Sequence, residues 1–344
     1  MPPGFRLRPP PPLMASEASL EFWRDRAVLV TGGTGLCGSW LVKRLLQLDA
    51  NVVALVRDWP AGSELVRSES ALATTLVHGD VRDQSLIERI CGDYEVEAVF
   101  HLAAQTIVPV ANRNPIETYD TNVRGTWSVL EACRRSPKIR AVIVASSDKA
   151  YGPQMELPYR EGTPLEPIEP YDVSKACADL ISRQYANTFG LPVAVTRSGN
   201  FFGGGDLNWS RVVPGTIRSL LRGTTPVVRS DGTPVRDYLY VEDVVEAYLL
   251  LAEGVTAGKL VGSGVNISYE QPLSVLEMVA KITGALGSSV EPVIENKATH
   301  EIQDQFLDAT LIRNTLAWEP RFSLDAGLER TVGWYRSHLV SAER

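Results

Sequence analysis

A tyrosine and a lysine four residues apart, Tyr171-Asp-Val-Ser-Lys175, are the side chains whose spacing points most directly to chemistry. On a helix, residues four apart share a face, so the ammonium stands beside the phenol. Its charge favours phenolate and lowers a pKa that is ordinarily about 10. Tyr171 then reads as a general base, taking a hydroxyl proton while hydride leaves the same carbon. Arg211 and Arg236 suit a diphosphate, because guanidinium binds phosphate oxygens in pairs. Trp209, beside Arg211, can stack on a nucleobase or simply pack. The sequence shows no metal-ligand constellation and no Ser-His-Asp set arranged for hydrolysis.

Such groups need a frame, and the segment 27–38 supplies its start. The apolar run Ala27–Val30 leads into Gly33, Gly35 and Gly38, followed by the amphipathic stretch Leu41–Leu46. Strand, tight turn and helix with G-x-G-x-x-G spacing predict a dinucleotide site. The first glycine permits the turn, the second lets a pyrophosphate touch backbone, and the third lets helix meet strand. The free N–H groups of the helix N-terminus attract the phosphates. Cys37 opens this helix, where a thiol pKa can fall or a small side chain can fill a tight turn. Asp58 ends the second apolar run, twenty residues past Gly38, where an acid meets the adenosine ribose. It favours NAD; Arg57 beside it would support NADP.

Strand candidates at 27–31, 51–56, 75–78, 98–102, 141–146 and 193–197 alternate with helical patterns. That alternation predicts an α/β fold, a doubly wound parallel sheet of Rossmann type with right-handed crossovers. Ligands in such sheets lie beyond the strand carboxyl ends. Gly79-Asp80-Val81, His101 to Gln105, Ser146 to Gly152 and Ser198 to Asp206 all fall there.

The chain has 344 residues, 44% of them hydrophobic, enough for a large core. A net charge of −7 without a basic run argues against a nucleic-acid surface. No apolar stretch approaches the roughly 20 residues of a membrane helix. Cys37, Cys91, Cys133 and Cys177 are scattered and read as buried thiols of a reducing cytoplasm. Residues 1–21 read as a flexible Pro-rich leader, the prolines falling within 1–16 and Met14 being a second candidate start. Residues 22–197 with 237–255 form the expected cofactor domain; 198–236 and 256–338 form a smaller, mostly C-terminal substrate lobe. Tyr238–Val241 is a candidate strand, Ser274–Glu277 a capping box, and 327–339 a closing helix. Wide apolar faces on helices 115–134 and 172–189 suggest a homodimer interface.

The sequence resembles the extended short-chain dehydrogenases/reductases, in their nucleotide-sugar epimerase and dehydratase branch, from about Phe22 to Trp334. The supporting motifs are Thr31-Gly-Gly-Thr-Gly-Leu-Cys-Gly38, Gly79-Asp80, His101-Leu-Ala-Ala104, Thr121-Asn122, Tyr171-x-x-x-Lys175 and Arg236-Asp-Tyr-Leu-Tyr-Val-Glu-Asp243. The resemblance implies that Gly32 joins Gly35, Leu36, Cys37 and Gly38 at the pyrophosphate. It puts Asp58, Asp80 and Val81 at the adenosine, and Leu102, Ala103, Ala104, Gln105 and Asn122 along the cofactor. Ser147 would polarise a sugar C4 hydroxyl beside Tyr171. Gln105, Asn200, Arg211 and Arg236 would hold the rest of a nucleotide-diphosphate sugar.

Ser147-Asp148-Lys149 sets the expected reaction. Epimerases of this branch carry small uncharged residues after the serine or threonine; the dTDP-glucose dehydratases carry Asp-Glu. CDP-glucose 4,6-dehydratases carry Asp-Lys, as here. Phe22-Trp23, Gly38-Ser-Trp-Leu41, Gln105 and the tract Gly199–Asp206 resemble them too. The sequence departs from that pattern between Gly152 and Tyr171 and over Asp231–Tyr240, so base and sugar stay open. After oxidation at C4, Asp148 would be the acid for the C6 hydroxyl, kept protonated by its surroundings. Lys149 would be the C5 base if neutral, or a cation steadying an enolate. An ion pair between the two would cancel both roles. The alternatives are a 4-epimerase on the same scaffold, a dehydratase of UDP- or GDP-sugars or one eliminating to a 5,6-alkene, and a non-catalytic cofactor-binding protein.

Overall fold

The computed structural model describes residues 17–60, 62–297 and 302–342. Six of its strands are β1 (Ala27–Thr31), β2 (Asn51–Val56), β3 (Thr75–His78), β4 (Ala98–His101), β5 (Ala141–Ala145) and β6 (Val193–Ser198). All are parallel, and a seventh strand, Gly264–Ile267, pairs beside β6. From that edge the order is Gly264–Ile267, β6, β5, β4, β1, β2, β3. Strand order reverses between β4 and β1, where Val30 faces Phe100 and Thr31 faces His101. A crevice opens at such a switch point, beyond the carboxyl ends.

Alternation along each strand feeds two cores. Val28, Val30, Phe100, Ile143, Ala194 and Val265 face helices Leu36–Gln47 and Val241–Thr256. Leu29, Val99, Val142, Val144, Val193 and Val195 face helices Gln84–Asp93, Gly125–Arg135 and Pro170–Phe189. With both faces covered, β4 and β5 are apolar almost throughout, which is why they stand out in the sequence. Helix Pro170–Phe189 starts with proline at its first position and ends at Gly190 in the left-handed region. Those ends hold Tyr171 and Lys175 on one face, in its first two turns.

The structure corrects several expected boundaries. Residues 17–21 are not leader: Glu17–Trp23 is a helix, Trp23 is fully buried, and its indole N–H donates to Glu253 at 2.8 Å. Residues 1–16, with the proline run and Met14, lie outside the described residues. Gly264–Ile267, expected in the substrate lobe, belongs to the main sheet. The strand at Tyr238–Tyr240 pairs with Asn200–Phe202 in a separate ribbon; only the following helix covers the main sheet. The Ser274–Glu277 capping box is present and opens helix Val275–Ala285. The closing helix spans Leu324–Ala342. Among the described residues no helix is long and apolar enough to cross a membrane.

Candidate active site

The crevice at the switch point is a cavity of about 700 Å³, within the range of small-molecule sites. Its floor is the glycine turn. Gly32 has φ +73°, and a Cβ there would lie 2.7 Å from the Ala103 nitrogen. A Cβ on Gly38 would lie 2.2 Å from the Gly32 carbonyl oxygen. Gly33, expected as the turn-forming glycine, has ordinary room, its nearest neighbour being the Ala54 Cβ at 3.4 Å. The turn therefore depends on Gly32. Gly35 caps helix Leu36–Gln47 without a side chain, leaving the first N–H groups open to an anion. The close backbone approach and the uncapped N-terminus fit a dinucleotide pyrophosphate. Cys37 is buried there and its thiol is pushed up to about 12, so the small-filler reading holds and the reactive one does not.

Asp58 and Arg57 both line the cavity, ion-paired to each other at 2.7 Å and largely exposed. Asp80 and Val81 lie at the same end. Burial pushes the Asp80 carboxyl up, but the bonds from Arg82 outweigh it and hold its pKa low. Leu36, Leu102, Ala103 and Ala104 complete the expected lining.

Three expected residues are not in that wall. Gln105 and Asn122 clasp each other: Gln105 N–H donates to Asn122 Oδ1 at 2.7 Å, and Asn122 Nδ2 donates to the Gln105 carbonyl at 3.1 Å. Asn122 also donates to Ser174 Oγ at 2.8 Å, tying the loop after β4 to the tyrosine helix. Arg236 is buried, and its guanidinium donates to the carbonyls of Val235, Ile302 and Gln303. The arginines in the wall are Arg57, Arg211 and Arg229, alongside Asn200. Arg211 is ion-paired to Asp206 at 3.0 Å. Arg229 carried no motif in the sequence, and neither did Ser63, Asn208 or Ser210 in the same wall. Trp209 packs on Tyr335, ring centroids 5.8 Å apart. His101 is a buried core residue between Thr31 and Thr126, at 2.8 and 3.1 Å, and burial lowers its pKa to about 3.

Ser147, Asp148, Lys149, Tyr171 and Lys175 all line the cavity. Ser147 caps the turn Asp148–Tyr151, accepting the Lys149 N–H at 3.2 Å. Its hydroxyl donates to Asp148 Oδ1 at 2.9 Å. Asp148 is 4% exposed, and burial raises its pKa despite the charges of Lys149 and Arg236. No ion pair joins Asp148 to Lys149 among the described residues. Lys149 is half-buried, with Asp172 also near it. Burial lifts Asp172 to about 6, and its Oδ1 has no hydrogen-bond partner. Lys175 donates to the Ala145 carbonyl at 2.5 Å, and burial lowers its pKa to about 8. The expected fall in the Tyr171 pKa does not occur. Burial pushes it up to about 12, against the pull of the Arg211 charge.

A parallel sheet with this switch point, a glycine turn and a Tyr-Lys pair at its mouth define a nucleotide-binding oxidoreductase-type scaffold. The chain belongs to the NAD-dependent epimerase/dehydratase family, whose sequence profile matches residues 28–267. It is 31% identical to CDP-glucose 4,6-dehydratase of Salmonella typhimurium over 336 residues, 93% of each chain. Among solved structures it is similar to UDP-glucose 4-epimerase of Thermotoga maritima with UDP-glucose (TM-score 0.83, 30% identity, 91% of this chain and 99% of that one). It is also similar to dTDP-glucose 4,6-dehydratase of Streptomyces venezuelae with NAD and TYD bound (TM-score 0.81, 30% identity, 92% of this chain and 98% of that one).

Proposed function

We propose that the protein is an NAD-dependent nucleotide-sugar 4,6-dehydratase with CDP-glucose as its preferred substrate, forming a 4-keto-6-deoxy sugar. The observation that carries this is Asp148: a buried carboxyl with a raised pKa, in the same cavity as Tyr171 and Lys175. A carboxylic acid kept protonated near neutrality is what expulsion of a C6 hydroxyl needs. The Asp-Lys pair and the likeness to a CDP-glucose 4,6-dehydratase favour the cytidine nucleotide.

NAD, when bound, supplies the hydride acceptor for C4 and the donor for C6. The glycine turn and the first turn of helix Leu36–Gln47 would hold its pyrophosphate, with Asp58, Asp80 and Val81 near the adenosine. The chain's own residues handle protons. Tyr171 takes the proton of the C4 hydroxyl, which Ser147 polarises. The ketone acidifies C5–H, and Lys149 either takes that proton or steadies the enolate charge. Asp148 protonates the C6 hydroxyl, which departs as water. Arg211 and Arg229, both in the wall, suit the sugar diphosphate.

Ile116, Trp127 and Leu180 are exposed on helices 115–135 and 170–189, a face suited to a second copy of the chain. Cys91 and Cys133 are neighbours yet both free thiols, which suits a reducing cytoplasm.

Incubation with each NDP-hexose, read by mass spectrometry, tests the reading. Loss of one water (about 18 mass units), fastest with CDP-glucose, is the expected result. Accumulation of an isomer of unchanged mass would replace dehydration with 4-epimerisation, the reading that the likeness to UDP-glucose 4-epimerase supports.

A further inference from the structure

With the NAD adenosine placed beside Asp80, as proposed above, selection of the base turns on where that carboxylate can accept a hydrogen bond. Asp80 follows β3 and lines the cavity together with Leu55, Gly79 and Val81. Adenine has one donor to offer, its exocyclic amino group; its free ring nitrogens only accept. Hypoxanthine carries a carbonyl oxygen in place of that amino group, so it presents an acceptor where adenine presents a donor. A carboxylate free to turn can adapt to either base, whereas one held in a fixed plane cannot.

We propose that Arg82 is the positioning residue for base selection: it locks the Asp80 carboxylate so that one acceptor site, on Oδ2, is left for an adenine amino group. An ionised carboxylate has about four lone-pair sites. Asp80 Oδ1 accepts the Arg82 backbone N–H at 2.9 Å and Arg82 Nε at 3.0 Å. Asp80 Oδ2 accepts Arg82 Nη2 at 2.9 Å, its one hydrogen bond among the described residues. The two side-chain bonds form the paired fork of guanidinium and carboxylate, which fixes the plane of both groups. Arg82 itself is not in the cavity wall, so it acts through Asp80 and not on the base.

The lock is anchored from its far side. Arg82 Nη1 donates to Glu117 Oε1 at 3.0 Å and to Asp120 Oδ2 at 2.9 Å. Glu117 lies on helix Pro115–Tyr119, and Asp120 opens the π-helical turn Asp120–Arg124. Asn122 in that turn accepts the Gln105 N–H and donates to Ser174, so the anchor is tied to the helix of Tyr171. Helix Gly125–Arg135 begins at a glycine that lets Val81 come close: a Cβ on Gly125 would lie 2.7 Å from Val81 Cγ2. Residues 80–82 are thus held against this helical layer by packing as well as by charge. Burial pushes the Asp80 carboxyl up, yet the Arg82 bonds and charge keep it below the usual carboxylate range, in the ionised form that only accepts.

The test reads base preference and not affinity alone. NAD and nicotinamide hypoxanthine dinucleotide are each titrated calorimetrically into protein stripped of cofactor. Native protein should prefer NAD by about 10–100-fold, the range of one hydrogen bond to a charged group. Arg82→Met should narrow that preference about tenfold, through loss of NAD affinity and with little change for the hypoxanthine dinucleotide. Asp80→Ala should abolish the preference, and adding Arg82→Met to it should change the preference no further, because Arg82 acts through Asp80. Arg82→Lys keeps the charge but lacks the fork, so it should narrow the preference too, and it carries the test if thermal melting shows Arg82→Met to be unfolded. An unchanged preference in the folded Arg82 variants, or equal loss of both dinucleotides, would overturn the positioning role. Native protein that binds the two dinucleotides equally would overturn instead the placement of the adenosine beside Asp80, on which the role rests.

Discussion

Gly38→Ala should cripple cofactor binding, whereas Gly33→Ala, five residues away in the same motif, should not. A Cβ on Gly38 would stand 2.2 Å from the Gly32 carbonyl oxygen, 0.8 Å inside the 3.0 Å that real Cβ contacts keep. Its next neighbours, the Gly32 carbonyl carbon and Gly33 Cα at 2.8 and 2.9 Å, are backbone too, so no side chain can yield. The Gly32 carbonyl also accepts the Gly35 N–H at 3.0 Å, so relief of the clash pulls apart the turn that faces the pyrophosphate. A charge-assisted hydrogen bond contributes about 1.5–3 kcal/mol, so losing one lowers NAD affinity by about 10–100-fold. Overpacking of this size also costs about 1–3 kcal/mol of stability. At Gly33 the added Cβ meets side chains alone, the Ala54 Cβ at 3.4 Å, Val42 Cγ2 at 3.6 Å and Val30 Cγ1 at 3.9 Å, and the backbone is not in the left-handed region. Stability there should hold or rise by about 0.4–1 kcal/mol through the unfolded chain. Calorimetric titration of NAD into stripped protein, with thermal melting of both variants, reads each quantity. Native affinity in Gly38→Ala, or an equal loss in Gly33→Ala, would refute the assignment of the turn.

Asp148→Asn keeps a side chain that can accept the Ser147 hydrogen bond but removes the proton donor. Elimination should fall about 10²–10⁴-fold, more than C4 oxidation does, so that reduced cofactor accumulates and is seen by its near-ultraviolet absorbance. Equal loss of both steps would take the acid role from Asp148. Asp237 is 1% exposed, and burial lifts its carboxyl to about 7 despite bonds from Ser268 and the Leu307 N–H. An unfolded aspartate ionises near pH 4, so as pH rises from about 4 to 7 the native state keeps a proton that the unfolded state gives up. Stability is lost across that window, by at most about 4 kcal/mol. Urea unfolding at pH 5 and pH 8 should show Asp237→Asn losing less stability than the native protein on the way up; parallel behaviour would refute it.

The sheet was legible because strands buried on both faces tend to be continuously apolar, as β5 is. The seventh strand was not, because Gly-Val-Asn-Ile is short and carries an amide. Burial of Asn266 is tolerated only because its side chain donates to the Tyr159 and Asp308 carbonyls and accepts from Tyr151, partners supplied by distant segments. Arg236 shows the same limit. An arginine reads as a phosphate ligand until the fold brings carbonyls from residues 302 and 303 around it. Spacing placed Tyr171 and Lys175 on one helical face, yet the Tyr171 pKa is decided by desolvation, which no spacing reveals. In the glycine motif the pattern located the turn, while the positive φ that assigns it to Gly32 appears only in the backbone.

The alignment of the two halves of the catalytic apparatus rests on a buried clasp. Asp179 lies one helical turn beyond Lys175, and Arg197 of β6 donates to both its carboxylate oxygens at 2.8 and 2.9 Å. Arg197 also donates to the Tyr151 hydroxyl at 2.9 Å, at the end of the turn that begins with Asp148. Tyr151 in turn donates to Asn266 at 2.7 Å. The helix of Tyr171 and the turn of Asp148 are thus joined through two side chains that are 0% and 1% exposed. Removing one member of such a pair leaves a buried charge alone, so Asp179→Ala should cost about 3–5 kcal/mol of stability. Replacing both, as Asp179→Leu with Arg197→Met, removes the charges together and should recover most of that loss. Activity should not recover with it: a turn free to shift by about 1 Å can cost 10²-fold in kcat with KM little changed. Urea unfolding and steady-state kinetics on the single and double variants separate the two effects. A double variant that is stable and fully active would show that the clasp holds the fold and has no part in aligning Asp148 with Tyr171.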